Sequence, residues 1–407
     1  MSIKEINGGV TAAPGFMAAG VHAGVKKNAD KKDMALIFCE SEAVCGGVFT
    51  QNKFAAAPVN WCRGVNAGGS ARAIIVNSGN ANACTGEQGA ADAAKMAEAT
   101  GAALGIPAGQ VLVCSTGVIG VQMPMEVILP GIDACAAALS PDGAADAAQA
   151  IMTTDLCSKE CAVQYEYRGK TITVGGMAKG SGMIHPNMAT MLVFITSDIA
   201  ISPAMLQKAL SGDIANTFNM LSIDGDTSTN DMVTVLANGL AGNDEITAEG
   251  EAFNTFMKAL NTVTVNLCRI IAGDGEGATK LLECKVSGAD TEQAAKLSAK
   301  SVVCSSLLKA AMFGADANWG RILCAIGYSG ADVDVNKVDV SFRSTKGEIA
   351  VCRDGAGIPF SEEQAKEILL EHEIEILVKV GNGPYSACAW GCDLTYDYVK
   401  INGDYRT

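Results

Sequence analysis

The chain has 407 residues, 49% hydrophobic and only 5% aromatic, enough for a sizeable core and for two domains. Asp and Glu (44) outnumber Lys and Arg (30), and no basic block appears, so the net charge of −14 argues against a nucleic-acid partner. The start, MSIKEINGGV, lacks an apolar signal core, and no apolar run of about 18 residues occurs, which reads as a cytoplasmic protein.

Apolar runs at 34–38 and 72–76 predict strands. The second ends in a small polar turn, NSGNANACTG. Thr85 and Gln88 have the spacing of a capping box, and an Ala-rich helix to about 104 follows. A strand at 111–113 then runs into Ser115-Thr116-Gly117. A glycine after Thr116 permits a turn with bare backbone N–H groups, which together with a hydroxyl suit a developing oxyanion. A plain strand-to-helix turn explains the same string.

Helices are expected near 131–139 and 144–152, the second ending at Thr153-Thr154-Asp155. Alternation at 163–168 and 171–174 about Gly169-Lys170 predicts a hairpin. It feeds a glycine-rich loop, with Gly175, Gly176, Gly180 and Gly182, that leads through His185, Pro186 and Asn187 to Ala189-Thr190. Lys179 is usually a solvated cation in such a loop, but is suited to a substrate carboxylate. The short apolar run 191–195 reads as a buried strand, with Thr190 at its mouth. If the Ala189–Thr190 peptide is bent, the Thr190 hydroxyl attacks the preceding carbonyl and water opens the resulting ester. The new terminal amine titrates near 7.7–8.0, so it serves as base for its own hydroxyl. A threonine capping a strand is the plainer reading.

Ser202-Pro203 opens a helix to about 218. The acidic turn 222–231 lacks the glycine and glutamate that a calcium loop needs. After a helix near 251–271, GDGEGATK (273–280) fails the phosphate-loop spacing. Glu276, between two glycines, suits a substrate ammonium; an exposed acidic turn is the alternative. A polar break at 287–292 precedes a long Ala-rich helix. Strands follow near 338–342, 348–351 and 374–380, with a capped helix from Ser361. The tail from Tyr398 is frayed by default.

Fifteen cysteines include no CxxC pair, and His22, His185 and His372 are far apart, so no metal site is expected. Single cysteines such as Cys268 and Cys324 read as small core residues in a reducing compartment.

The string KGSGMIHPNMATML (179–192) closely resembles the self-cleaving segment of the ornithine acetyltransferases, the bifunctional glutamate N-acetyltransferases of arginine biosynthesis. NSGNANACTG, STG, SIDGDTSTND, GDGEGATK and GADANWGR resemble the same family in the same order. The resemblance implies an α/β fold, a layered αββα sandwich of the aminopeptidase/ornithine acetyltransferase type. Residues 1–282 would form the core and 283–407 a smaller C-terminal α/β domain. It implies autocatalytic cleavage between Ala189 and Thr190, giving chains 1–189 and 190–407, two copies of each. It implies a Thr190 nucleophile, an oxyanion hole at Thr116 and Gly117, and substrate contacts from Thr153, Lys179, Thr190, Glu276, Asn402 and Thr407. The acetyl group would pass from N2-acetyl-L-ornithine to L-glutamate with no metal or organic cofactor. Acetyl-CoA as a second donor stays open. An N-terminal-nucleophile amidase or aminopeptidase is the competing enzyme, and a small-ligand-binding protein the competing non-enzyme.

Overall fold

A computed structural model describes residues 2–185 and 191–404 of the chain. They form two compact units. The first takes Met1–Gly180, Asn187–Ala215 and Thr227–Leu267; the second takes Ser181–Pro186, Asn216–Asp226 and Cys268–Thr407.

The first unit holds β1 (Ile3–Ile6), β2 (Phe16–Val21), β3 (Met34–Phe49), α1 (Ala57–Ala67), β4 (Ser70–Asn80), α2 (Gly86–Leu104), β5 (Val111–Val118) and α3 (Met125–Ala137). It continues with α4 (Ala144–Ala150), β6 (Lys159–Tyr167), β7 (Lys170–Lys179), β8 (Leu192–Ser197), α5 (Pro203–Ile214), β9 (Met232–Ala237) and most of α6 (Glu251–Gly273). Its nine strands run in the order β1-β6-β7-β8-β9-β3-β4-β5, with β2 added on β3. The long β3 turns this sheet into two leaves. Its first half pairs with β2 and β4, and its second half with β9.

Side-chain alternation on the strands then builds the layers. Ile37, Ile74, Val76, Leu112 and Cys114 meet Met177, Leu192, Phe194, Met232 and Leu236 in the core between the leaves. The alternate residues Leu36, Ala73, Ile75, Val111 and Val113 pack instead on Met96 of α2 and Ile128 and Ile132 of α3. On the other leaf, Leu206 of α5 lies over Gly46, and Val263 and Leu267 of α6 lie over Gly176. Helix, leaf, leaf and helix give the αββα sandwich that the family resemblance implies.

The second unit holds β10 (Leu281–Ala289), α7 (Glu292–Cys304), α8 (Ser306–Phe313), α9 (Trp319–Gly327), β11 (Asp339–Ser344), β12 (Gly347–Arg353), β13 (Ala356–Gly357), α10 (Glu362–Leu369), β14 (Glu373–Lys379), β15 (Tyr385–Cys392) and α11 (Tyr396–Asp404). Its sheet runs β13-β12-β11-β14-β10-β15, with β10 parallel to β14 and antiparallel to β15.

Several local expectations change. Ser115-Thr116-Gly117 is the end of β5 rather than a turn. Gly175 and Gly176 lie inside β7, not in a loop; a side chain at Gly175 would strike the Gly9 carbonyl. Thr85 stands at the N-cap of α2, but its hydroxyl donates to Asn82 Oδ1 (2.7 Å) instead of capping the helix. The long Ala-rich helix is two helices, because the Ser305 hydroxyl caps the second by accepting from Leu308 N–H. The tail is helical to Asp404. Cys268 is a core residue as expected, whereas Cys324 is exposed.

Candidate active site

In the first unit the site begins where β4 and β5 end side by side. Their parallel register pairs Ser78 with Thr116 and Gly79 with Gly117, then slips at Asn80. The slip is possible because Gly117 has φ +133 and because a Cβ there would collide with Gly79 and Asn80. Buried amides fix the two strand ends. Asn77 Nδ2 donates to the Asn80 carbonyl (2.8 Å) and Ser115 Oγ to Asn77 Oδ1 (2.6 Å). Asn230 Nδ2 donates to the carbonyls of Ala81 (2.5 Å) and Ser115 (2.8 Å). Thr116 and Gly117 remain half-buried at the tip.

Lys179 ends β7 and is 9% exposed, so it is not the solvated cation of the plain reading. Met177, two residues earlier, faces the core between the leaves, and alternation puts Lys179 on that same face. Across the sheet Lys179 pairs with Leu192, and Leu192 with Met232. Met232 in turn lies 3.1 Å, sulfur to sulfur, from Cys114, two residues before Thr116. Lys179 and the Thr116–Gly117 tip therefore belong to the same end of the sandwich. Met191, the residue after Thr190, is buried, and its carbonyl accepts from Met232 N–H (2.9 Å).

Asp155 ties Thr153, an expected substrate residue, to Gly180, the residue after Lys179. Its Oδ2 accepts from Thr153 N–H (2.9 Å), and its Oδ1 from Gly180 N–H (2.7 Å) and Lys159 Nζ (2.7 Å). Burial alone would raise this carboxyl. The charges of Lys179 and Lys159, with these hydrogen bonds, outweigh it and hold Asp155 far below the usual carboxylate range. Lys26 closes the same corner by donating to the Met152 carbonyl (2.7 Å). Burial lowers its ammonium to about 8 against the opposing pull of Asp33. Asp231, just before β9, is fully enclosed. Burial pushes its carboxyl well above the usual range, opposed by Ser228 and Lys179, and its Oδ2 has no hydrogen-bond partner among the described residues.

In the second unit Glu276 and Asn402 are brought together, with Asn402 Nδ2 donating to Glu276 Oε2 (2.7 Å). Glu276 is 8% exposed rather than the tip of an open acidic turn. Its carboxyl fills the space a side chain at Gly182 would need, and its N–H donates to the Ser181 carbonyl (3.0 Å). Asp224 grips the next residues, accepting from the N–H groups of Met183 (2.6 Å) and Ile184 (2.9 Å). His185 Nδ1 lies 3.0 Å from Ser222 Oγ. The segment leading to the expected cleavage point is thus held by the Asp224 carboxylate and the Glu276 backbone N–H.

Ala189, Thr190 and Thr407 lie outside the described residues. Sequence reasoning passed over Asp155, Asp224 and Asp231 as functional candidates. For Asp155 a signal existed, an acid four residues before Lys159, but only the fold shows both buried. Among the described residues, no three His, Cys, Asp or Glu side chains are grouped so as to hold a metal ion, and no helix is long and apolar enough to cross a membrane.

The ArgJ family model matches residues 17–407. An "Arginine biosynthesis bifunctional protein ArgJ" from Caldanaerobacter subterraneus subsp. tengcongensis is 53% identical over 405 residues, covering 100% of both chains. One of the same description from Symbiobacterium thermophilum is 53% identical over 406 residues, again covering 100% of each. The crystal structure of arginine biosynthesis bifunctional protein argJ from Bacillus halodurans is 47% identical, with a TM-score of 0.50; the match takes in 98% of that chain and 52% of this one. The strings that pointed to an acetyltransferase family are therefore set in a chain related to it from end to end: the protein belongs to the ArgJ family and is an acyltransferase enzyme of arginine biosynthesis.

Proposed function

We propose that the chain cuts itself between Ala189 and Thr190, and that Thr190 then carries an acetyl group from N2-acetyl-L-ornithine to L-glutamate. The observation that carries the first step is the length of the relative's crystal chain. The curated relatives match this chain throughout, yet the Bacillus halodurans crystal chain is almost wholly used up in covering 52% of it. A chain starting at residue 190 would hold just over half of the 407 residues.

In maturation, Thr190 Oγ attacks the Ala189 carbonyl carbon and the amide nitrogen leaves as the new α-amine. Water then hydrolyses the ester. In turnover, that amine takes the Oγ proton as Oγ attacks the acetyl carbonyl. The C–N bond to ornithine breaks, and the proton passes to the departing amine. Thr116 and the Gly117 N–H receive the oxyanion, each donor being worth about 2.7–4 kcal/mol. Glutamate reverses the sequence and leaves as the acetylated product. Lys179 and Thr153, with Glu276, Asn402 and Thr407, hold the amino-acid ends of the substrates. Acetyl-CoA as a second donor fits the word "bifunctional" in the relatives' names, and the acetyl ester makes a metal or organic cofactor unnecessary. We place the enzyme in the cytoplasm as two copies of each chain.

Purified protein should give two bands on a denaturing gel, one chain ending at Ala189 and the other beginning Thr-Met-Leu-Val. Thr190→Ala should give one. Incubation with N-acetylornithine should add one acetyl group to the later chain, and glutamate should remove it as N-acetylglutamate. A single uncut chain that still exchanges acetyl groups overturns the maturation step. Acetate in place of N-acetylglutamate overturns transfer in favour of hydrolysis.

A further inference from the structure

Away from these residues, a hollow of about 400 Å3 opens between the first turns of α1 and α2, within the range of about 300–1,000 Å3 that small-molecule sites occupy. Its wall includes Lys53, Phe54, Asn60, Trp61, Thr85 and Gly86, and among the described residues no acidic side chain, in a protein of net charge −14. Phe54 is 72% exposed, although its turn is tied down: Phe54 N–H donates to Asn52 Oδ1 (3.0 Å), Asn52 Nδ2 to the Thr227 carbonyl (2.9 Å), and Arg63 to the Thr50 carbonyl (2.7 Å). Trp61 is fixed by its indole N–H on the Val111 carbonyl (2.9 Å). The first turn of α2 adds donors, since Thr85 at the N-cap spends its hydroxyl on Asn82 and does not cap the helix. Glu87, in that first turn, does not line the hollow.

We propose that this hollow is a nucleotide site, in which a planar base lies against Phe54 and Trp61 while a phosphate meets Lys53 and the first-turn N–H groups of α2. Aromatic faces accept any base by stacking, and a lysine with bare helix N–H groups favours a phosphate. The site is joined to the end of β5 by backbone bonds. Ala81 N–H donates to the Val118 carbonyl (2.8 Å) and Gly120 N–H to the Ala83 carbonyl (2.8 Å), so Thr85 and Gly86 follow a segment laced to the residues just after Gly117. The ligand chemistry has two sources: a free nucleotide acting as effector, or the nucleotide end of a coenzyme thioester. The proposal goes beyond the acyl-transfer reading and stands without it.

Titration calorimetry of the full chain with ADP, coenzyme A, adenosine and inorganic phosphate tests it. ADP or coenzyme A should bind saturably. Lys53→Glu and Phe54→Ala should each weaken binding at least about tenfold, or ~1.4 kcal/mol, while Lys53→Arg retains it and thermal stability stays at the parent value. Adenosine should bind at least about tenfold more weakly than ADP. Coenzyme A tighter than ADP assigns the thioester carrier, and equal affinities assign a free nucleotide. Absence of binding at millimolar ligand, affinities unchanged in both variants, or phosphate binding as tightly as ADP would each overturn the site.

Discussion

Gly117 shows how much rests on one missing Cβ. With φ +133 and the Gly79 backbone against it, the position admits no other residue without moving β4 away from β5. Gly117→Ala should lower kcat for acetyl transfer about 10²- to 10³-fold, with a much smaller change in KM; a raised KM with kcat unchanged would place its role in binding instead. Asp155 carries a different burden, because Lys159 is buried with it. Asp155→Asn leaves that ammonium without its carboxylate and should cost about 3–5 kcal/mol in urea unfolding. The acid limb follows from the same shift. The folded-state pKa lies below the unfolded value, so the stabilisation is complete above about 3.9 and is lost only as pH falls from there through the folded value. Asp155→Asn should therefore flatten the unfolding midpoint between pH 5 and 2, and an unchanged acid limb would count against the ion pair.

Among the elements, legibility followed how strongly a local signal constrained the backbone. Ser361 was readable as a helix start, and its hydroxyl does accept from Gln364 N–H (3.2 Å). Ser361→Ala should cost about 1 kcal/mol, measured by thermal melting. Thr85 carried the same kind of signal but lost its hydroxyl to Asn82, a tertiary partner that spacing does not reveal. The end of β5 looked like a turn because Thr116-Gly117 carries turn residues; the strand continues because β4 ends alongside in register. Gly175 and Gly176 looked like loop for the same reason, whereas they are strand positions where neighbouring backbone or helix comes close. The hairpin of β6 and β7 was legible from alternation, but its turn is Arg168-Gly169, both with positive φ, one residue before the expected Gly169-Lys170. The residues expected at the site were legible as strings. Their burial was not, and burial is what separates Lys179 and Glu276 from ordinary surface charges.

For the whole molecule, buried thiols and buried lysines pull stability in opposite senses at alkaline pH. Burial pushes Cys45, Cys135 and Cys388 up to about 12, and Cys114 and Cys284 also upward. Such groups keep their protons in the folded chain after the unfolded chain has lost them near 8.5, so stability falls as pH rises beyond that point. Burial lowers Lys26 and Lys300 to about 8, which works in the opposite sense up to about 10.4. The thiols are the larger set, and the urea midpoint in reducing buffer should be lower at pH 10 than at pH 7.5; a higher midpoint would mean that the lysines dominate. The proposed cut separates β7 from β8, yet β8 and β9 stand in the middle of the nine-stranded sheet, flanked by β7 and β3 of the earlier chain. The products would be interwoven like threads of one cloth, with no exit for either short of unravelling it. Cleavage would free a terminus without freeing a fragment, and the two pieces should co-elute in every buffer that leaves the sheet intact.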